Sequence, residues 1–93
     1  MSTAEIEMKI NECITELSRF TKFSPQVKQA IEGLEKLKEE IKNLNRQKAE
    51  EIIKIIEEYQ KRSTPYAFFI PKTIENLKYI KQWLEEKKEE LPM

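Results

Sequence analysis

An all-α antiparallel helical bundle is the fold class this sequence predicts, and three observations carry the expectation. All 17 acidic residues are Glu, 14 of the 17 basic residues are Lys, Ile occurs twelve times, and there is one Gly and one Val. Such an alphabet favours helices and leaves few residues for turns and strands. Apolar residues recur at spacings of three and four over long stretches, the signature of amphipathic helices. Finally, the prolines stand at positions 25, 65, 71 and 92, where they punctuate helical segments rather than interrupt them. At 93 residues the chain has room for one small domain and not for two independent cores. The favoured arrangement has three helices, at about 3–21, 25–62 and 72–91, with an apolar connection at 63–71. A break near 43–45 would convert it to four helices.

The first helix is written in Ile6, Ile10, Cys13, Leu17 and Phe20, which fall on one face in a heptad-like seam that Ile14 widens, while Glu5, Glu7, Lys9, Glu12, Glu16 and Arg19 occupy the others. Cys13 lies on the seam, so it reads as a small buried hydrophobe. A catalytic thiol would want a positive, partly exposed setting and a His partner, and the chain contains no His.

Ser24 and Pro25 then place a hydroxyl at an N-cap and a proline at the first helical position. Phe23 can fold back onto Val27 or Ala30 as a hydrophobic staple. From Pro25 to Arg62 no further proline appears, and Val27, Ala30, Leu34, Leu37, Ile41 and Leu44 alternate in steps of three and four. The apolar line resumes at Ile52, Ile55, Ile56 and Tyr59 after a stutter through Lys48. Read as continuous, this helix would be about 57 Å long, and shorter neighbours would leave part of its seam uncovered, which points to self-association or a larger partner. Asn43 and Asn45 mark the place where it would break instead, although two Asn cost a helix only about 1 kcal/mol in propensity. Gly33, inside this helix, is explained either by close approach of a neighbouring backbone or by simple exposure.

The connection after Ser63 is unusually apolar: Tyr66, Ala67, Phe68, Phe69 and Ile70 lie between Pro65 and Pro71 and include three of the eight aromatics. It either folds over the end of the bundle as a lid or docks into another protein, and the two are compatible if some rings stay exposed. The last helix is expected to start near Thr73 as N-cap and to end at Leu91 and Pro92. Ile74, Leu77, Ile80 and Leu84 form its core stripe, flanked by Tyr79 and Trp83.

Charge and chemistry narrow the function. Residues 1–48 hold nine basic and eight acidic groups and residues 49–93 eight and nine, so neither half is a basic footprint for nucleic acid. Lys36, Lys38, Lys42, Arg46 and Lys48 enrich the middle of the long helix in positive charge, with Lys38, Lys42 and Arg46 the candidates for a phosphate backbone, but Glu35, Glu39 and Glu40 dilute the stretch. Without His or Asp, the paired carboxylates Glu50, Glu51 and Glu57, Glu58 lack the partners of a bundle metal site, so neither metal nor cofactor is expected. No glycine-rich loop cradles a phosphate, and no small-molecule substrate is implied. A lone Cys and the lack of a signal or membrane-spanning segment fit a cytoplasmic setting. The Lys, Glu and Ile enrichment resembles hyperthermophile proteins, and an AT-rich genome gives a similar bias.

The resulting expectation is a non-enzymatic interaction module, a small accessory subunit that binds and stabilises a larger enzyme or assembly. Tyr66, Phe68, Phe69 and Ile70, with Tyr79 and Trp83, are its candidate contact residues, because aromatics are the usual anchors of interfaces. A nucleic-acid-associated regulator using Lys38, Lys42 and Arg46 is the alternative. A self-assembling structural protein of viral or plasmid origin is a third reading, supported by size and composition alone.

Overall fold

The computed structural model describes residues 2–92, and the order of elements follows from where each helix finds its first and last hydrogen-bond partners. Helix α1 spans Thr3–Leu17 and opens on a capping box. The Ser2 hydroxyl accepts from the Glu5 amide at 3.2 Å, and the Glu5 carboxylate accepts from the Ser2 amide at 3.3 Å. A short 3-10 turn, Ser18–Phe20, tightens its end. Helix α2, Pro25–Glu40, starts as expected, with the Ser24 hydroxyl accepting from the Gln26 amide at 3.1 Å.

The continuous 25–62 helix does not form. Helix α2 ends at Glu40, and α3 runs separately over Arg46–Ser63. Asn45 is the N-cap of α3, its side-chain oxygen accepting from the Lys48 amide at 2.7 Å. Leu44, in the turn between them, packs against the core. Burial explains the break. Folding α3 back buries Ala49, Ile52, Ile53 and Ile56, and each Ile so buried contributes about 1.5–3 kcal/mol. That sum acts in the same direction as the propensity cost of about 1 kcal/mol that the two Asn impose on a continuous helix, and exceeds it. The seam that a continuous rod would expose is therefore covered. The radius of gyration is 12.8 Å, close to the roughly 12 Å of a folded chain this size, and the long dimension of 41 Å could not hold the rod.

A second 3-10 turn, Thr64–Tyr66, leads into α4, Pro71–Lys88. This helix starts before Thr73, which is buried inside its first turn and caps nothing. Its N-cap, Ile70, offers no side-chain hydrogen bond. Glu16 of α1 does so instead, accepting from the amides of Thr73 at 2.6 Å and Lys72 at 3.1 Å. At the other end Arg46 donates from Nε to the Lys88 carbonyl at 3.2 Å and from its backbone amide to the Pro92 carbonyl at 3.1 Å.

The four helices alternate in direction. Ile6, Ile10, Cys13 and Leu17 meet Leu34 and Leu37 of α2, Ile52 and Ile56 of α3, and Leu77, Ile80 and Leu84 of α4 in one core. Around it α2 packs on α1, α1 on α4 and α4 on α3, while α2 and α3 approach each other least. They touch near their shared turn, where Lys48 pairs with Glu40 at 2.9 Å, and at the contact of Tyr59 with Gly33. No strand occurs among the described residues, and no helix there is long and apolar enough to cross a membrane.

Candidate functional site

Because the helices alternate, the α1–α2 turn and the α3–α4 connection lie at the same end of the bundle, where α2 and α3 stand apart. A cleft of about 660 Å³ opens there. Its floor is Leu17, Leu34 and Leu77, its α2 wall is Val27 and Ala30, and its α3 wall is Tyr59, Arg62 and Ser63. Phe20, Phe23, Tyr66 and Phe69 form the mouth.

Two of the three ring pairs at the mouth meet edge to face, and the third, Phe20 with Phe23, is tilted at 47°. Phe20 meets Phe69 with ring centroids 6.4 Å apart and planes at 70°, and Phe69 meets Phe68 at 5.7 Å and 83°. Phe23 joins through Phe20 at 6.3 Å. Aromatic pairs favour these geometries, so the segments brace one another while leaving much of their surface to solvent. Phe68 is 91% exposed, Phe23 82%, Phe69 61% and Tyr66 60%. Exposure of large rings on this scale, contiguous and at one end, is unusual for a surface with no partner.

The six aromatic and aliphatic residues expected to contact a partner divide into three groups. Tyr66, Phe68 and Phe69 gather at the cleft mouth. Ile70 and Trp83 are each only 6% exposed and belong to the core, so Ile70 is the part of the connection that acts as a lid. Tyr79 sits away from the cleft on the α1–α4 face, where the Lys9 ammonium lies 4.6 Å from its ring centre. Phe20 and Phe23 were not among the candidates. Phe20 reads in the sequence as the end of the α1 seam and Phe23 as a staple, but Phe23 is too exposed to staple anything. The signal that finds them is topological: adjacent antiparallel helices bring two aromatic connections to one end.

The cationic candidates are engaged in the fold. Lys38 donates to Asn11 of α1 at 2.9 Å and pairs with Glu35 at 3.0 Å, Lys42 pairs with Glu39 at 3.5 Å, and Arg46 holds the end of α4.

The chemistry of the cleft is that of a receptacle. Its lining contains no carboxylate, imidazole or thiol. Burial raises the pKa of the Tyr59 phenol in its wall, and the Arg62 charge offsets part of that rise. Cys13 lies in the core, and burial, helped by the nearby Glu16 carboxylate, pushes its thiol up to about 12. The side chains of Thr73 and Asn76 hydrogen-bond the thiol and offset a part of that rise. A protonated, enclosed thiol is a poor nucleophile. No group of three or more potential metal ligands occurs among the described residues.

Comparison of the chain with protein-family models, with curated protein sequences and with solved structures finds no match in any of the three.

Proposed function

We propose that the protein is a non-enzymatic interaction module, a small subunit that docks a larger protein or assembly through the aromatic cleft at the α1–α2 and α3–α4 end. One observation carries this reading: Phe23, Tyr66 and Phe69, drawn from two connections, border an apolar cleft, and Phe68 packs on Phe69 at its edge, while each of the four is more than half exposed. Rings of this kind carry most of the binding energy in protein interfaces when a partner buries them. The cleft also lacks the acid, base and nucleophile pairs that catalysis would require. Lys38 is bonded to α1, Arg46 to the end of α4, and Lys42 shares an exposed pair with Glu39, so this stretch offers the nucleic-acid alternative little uncompensated charge.

The test is the double substitution Phe68→Ala with Phe69→Ala. Both side chains are more than half exposed, so the melt should move by less than about 1 kcal/mol in stability. A partner captured by the unaltered protein from its native host, and reconstituted from purified components, should bind the variant at least about tenfold more weakly. Unchanged affinity in the reconstituted pair sinks the proposal, and a collapsed melt would make these rings part of the lid instead.

A further inference from the structure

Burial divides α2 near its middle. None of the sixteen residues from Ser18 to Gly33 is buried, whereas Leu34, Leu37 and Ile41 follow in the core. Phe20, Val27, Ala30 and Ile31 are partly buried and rest on that core, so half-covered apolar contacts seat the segment. Its side-chain hydrogen bonds are local: the Ser18 hydroxyl donates to the Ile14 carbonyl, the Thr21 hydroxyl donates to the Ser18 carbonyl, and the Ser24 hydroxyl accepts from the Gln26 amide. Among the described residues no ion pair or side-chain hydrogen bond ties it to α3 or α4. The second half of α2 is fastened across helices, Lys38 to Asn11 of α1 and Glu40 to Lys48 of α3, each at 2.9 Å. The facing run of α3 and its connection, residues 57–69, also lacks a buried residue, but Glu57 pairs with Lys81 of α4 at 3.1 Å and α4 packs along α3. The border within α2 falls at Gly33, the chain's one glycine, and glycine is a common place for a helix to bend. The 3-10 turn Ser18–Phe20 marks the other end of the segment. Between these points lie Phe20, Phe23, Val27 and Ala30, one side of the cleft.

We infer that residues 18–33 are a movable wall of the cleft, hinged at the 3-10 turn and at Gly33, which lifts as a unit while α1, α3, α4 and the second half of α2 stay packed. The ground is how little must be broken. Segments with few buried apolar contacts open at free energies far below that of global unfolding. Lifting this wall removes no buried side chain from the core and widens access to Leu17 and Leu34, which already floor the cleft. Lifting α3 or α4 would instead uncover four and six buried residues of their own. The cleft thus has one side that holds and one that yields, so its width at rest does not limit what enters it. This is a property of the chain alone and does not depend on the interaction-module reading.

Native-state hydrogen exchange, followed by NMR on the protein without any partner, tests the movable wall. The amides of Gln29 to Gly33 have their helical acceptors within the segment. They should be at least about a hundredfold less protected than the amides of Ile10, Ile56 and Ile80. The substitution Ile52→Val, in α3, should lower the protection of those three core amides about fivefold. It should leave residues 29–33 unchanged, because the state with the wall lifted keeps the core that holds Ile52. Proteolysis gives a second reading, since Glu32 in α2 and Glu57 in α3 are both exposed and both well inside their helices. A glutamate-specific protease should cut the folded protein after Glu32 at least about tenfold faster than after Glu57. Protection at 29–33 equal to that of the core, or lost along with it in Ile52→Val, would overturn the inference, because the segment would then open only with the whole molecule. Fast exchange without preferential cleavage after Glu32 would overturn it as well, by reducing the motion to fraying of single turns.

Discussion

The Tyr59 hydroxyl on α3 occupies the space that a Cβ at Gly33 of α2 would need. This is the contact at which α2 and α3 touch across the cleft, and it accounts for the one glycine in a helix interior. A neighbouring side chain, and not a neighbouring backbone, requires it. Gly33→Ala gains about 1 kcal/mol of helix propensity but must displace a ring that forms one wall of the cleft. We expect the single substitution to lower stability by about 1 kcal/mol. In a Tyr59→Phe background, where the ring edge lies 3.3 Å from the added carbon, the same substitution should raise it by up to about 1 kcal/mol. A double-mutant cycle by urea denaturation measures the difference, and additive effects would show that the two residues do not compete for one space.

Glu16 does for α4 what no residue of α4 does for itself. Its two carboxylate oxygens take separate backbone amides, at 2.6 and 3.1 Å, across more than fifty residues of sequence. Loss of a capping group costs about 0.5–2 kcal/mol, and hydrogen bonds to a charged acceptor lie toward the upper end of the usual range. Glu16→Ala should therefore cost about 2 kcal/mol in denaturant unfolding, with Glu16→Gln recovering part of it. A Glu16→Ala variant as stable as the parent would show that water caps the helix equally well.

Cys13 sets an alkaline limit. Below its ordinary value of 9.0 the thiol is protonated in both folded and unfolded chains. Above that pH the unfolded thiol ionises, while the buried one keeps its proton up to about 12. The unfolded state alone gains, so stability falls across this interval by up to about 1.4 kcal/mol per pH unit. Cys13→Ala will be less stable at neutral pH because it leaves a cavity, but its deficit should shrink as the pH rises from 9 toward 11. A deficit that stays constant through that range would remove the thiol from the alkaline transition.

The sequence made the helices legible wherever a local signal sufficed. Ser24 with Pro25 marked the start of α2, and the Ile and Leu spacing located the core faces of α1 and α4. Asn43 and Asn45 marked the end of α2 only ambiguously, because propensity alone makes them a small cost. The deciding term, burial of Ile52, Ile53 and Ile56 against α4, depends on where a distant segment lies. The site was half legible for the same reason. Phe68 and Phe69 stood out beside Pro65 and Pro71, whereas Phe20 and Phe23 acquire their role only when the α1–α2 turn meets the α3–α4 connection. Trp83 and Ile70 have the composition of interface residues, but they sit on the inward face of their helix and at its first turn, where the core takes them.

The two foreign caps on α4 bear on how the protein is made. Glu16 and Arg46 are synthesised well before the amides and carbonyls they serve, and the apolar faces of α1 and α3 have α4 as their main neighbour. A chain emerging from the ribosome thus has helices but no closed interior until the segment through Lys88 is free. The aromatic cleft cannot exist on the nascent chain either, since its mouth is shared by the first and third connections. A partner that reads this cleft would consequently distinguish chains in which α4 has packed from those in which it has not.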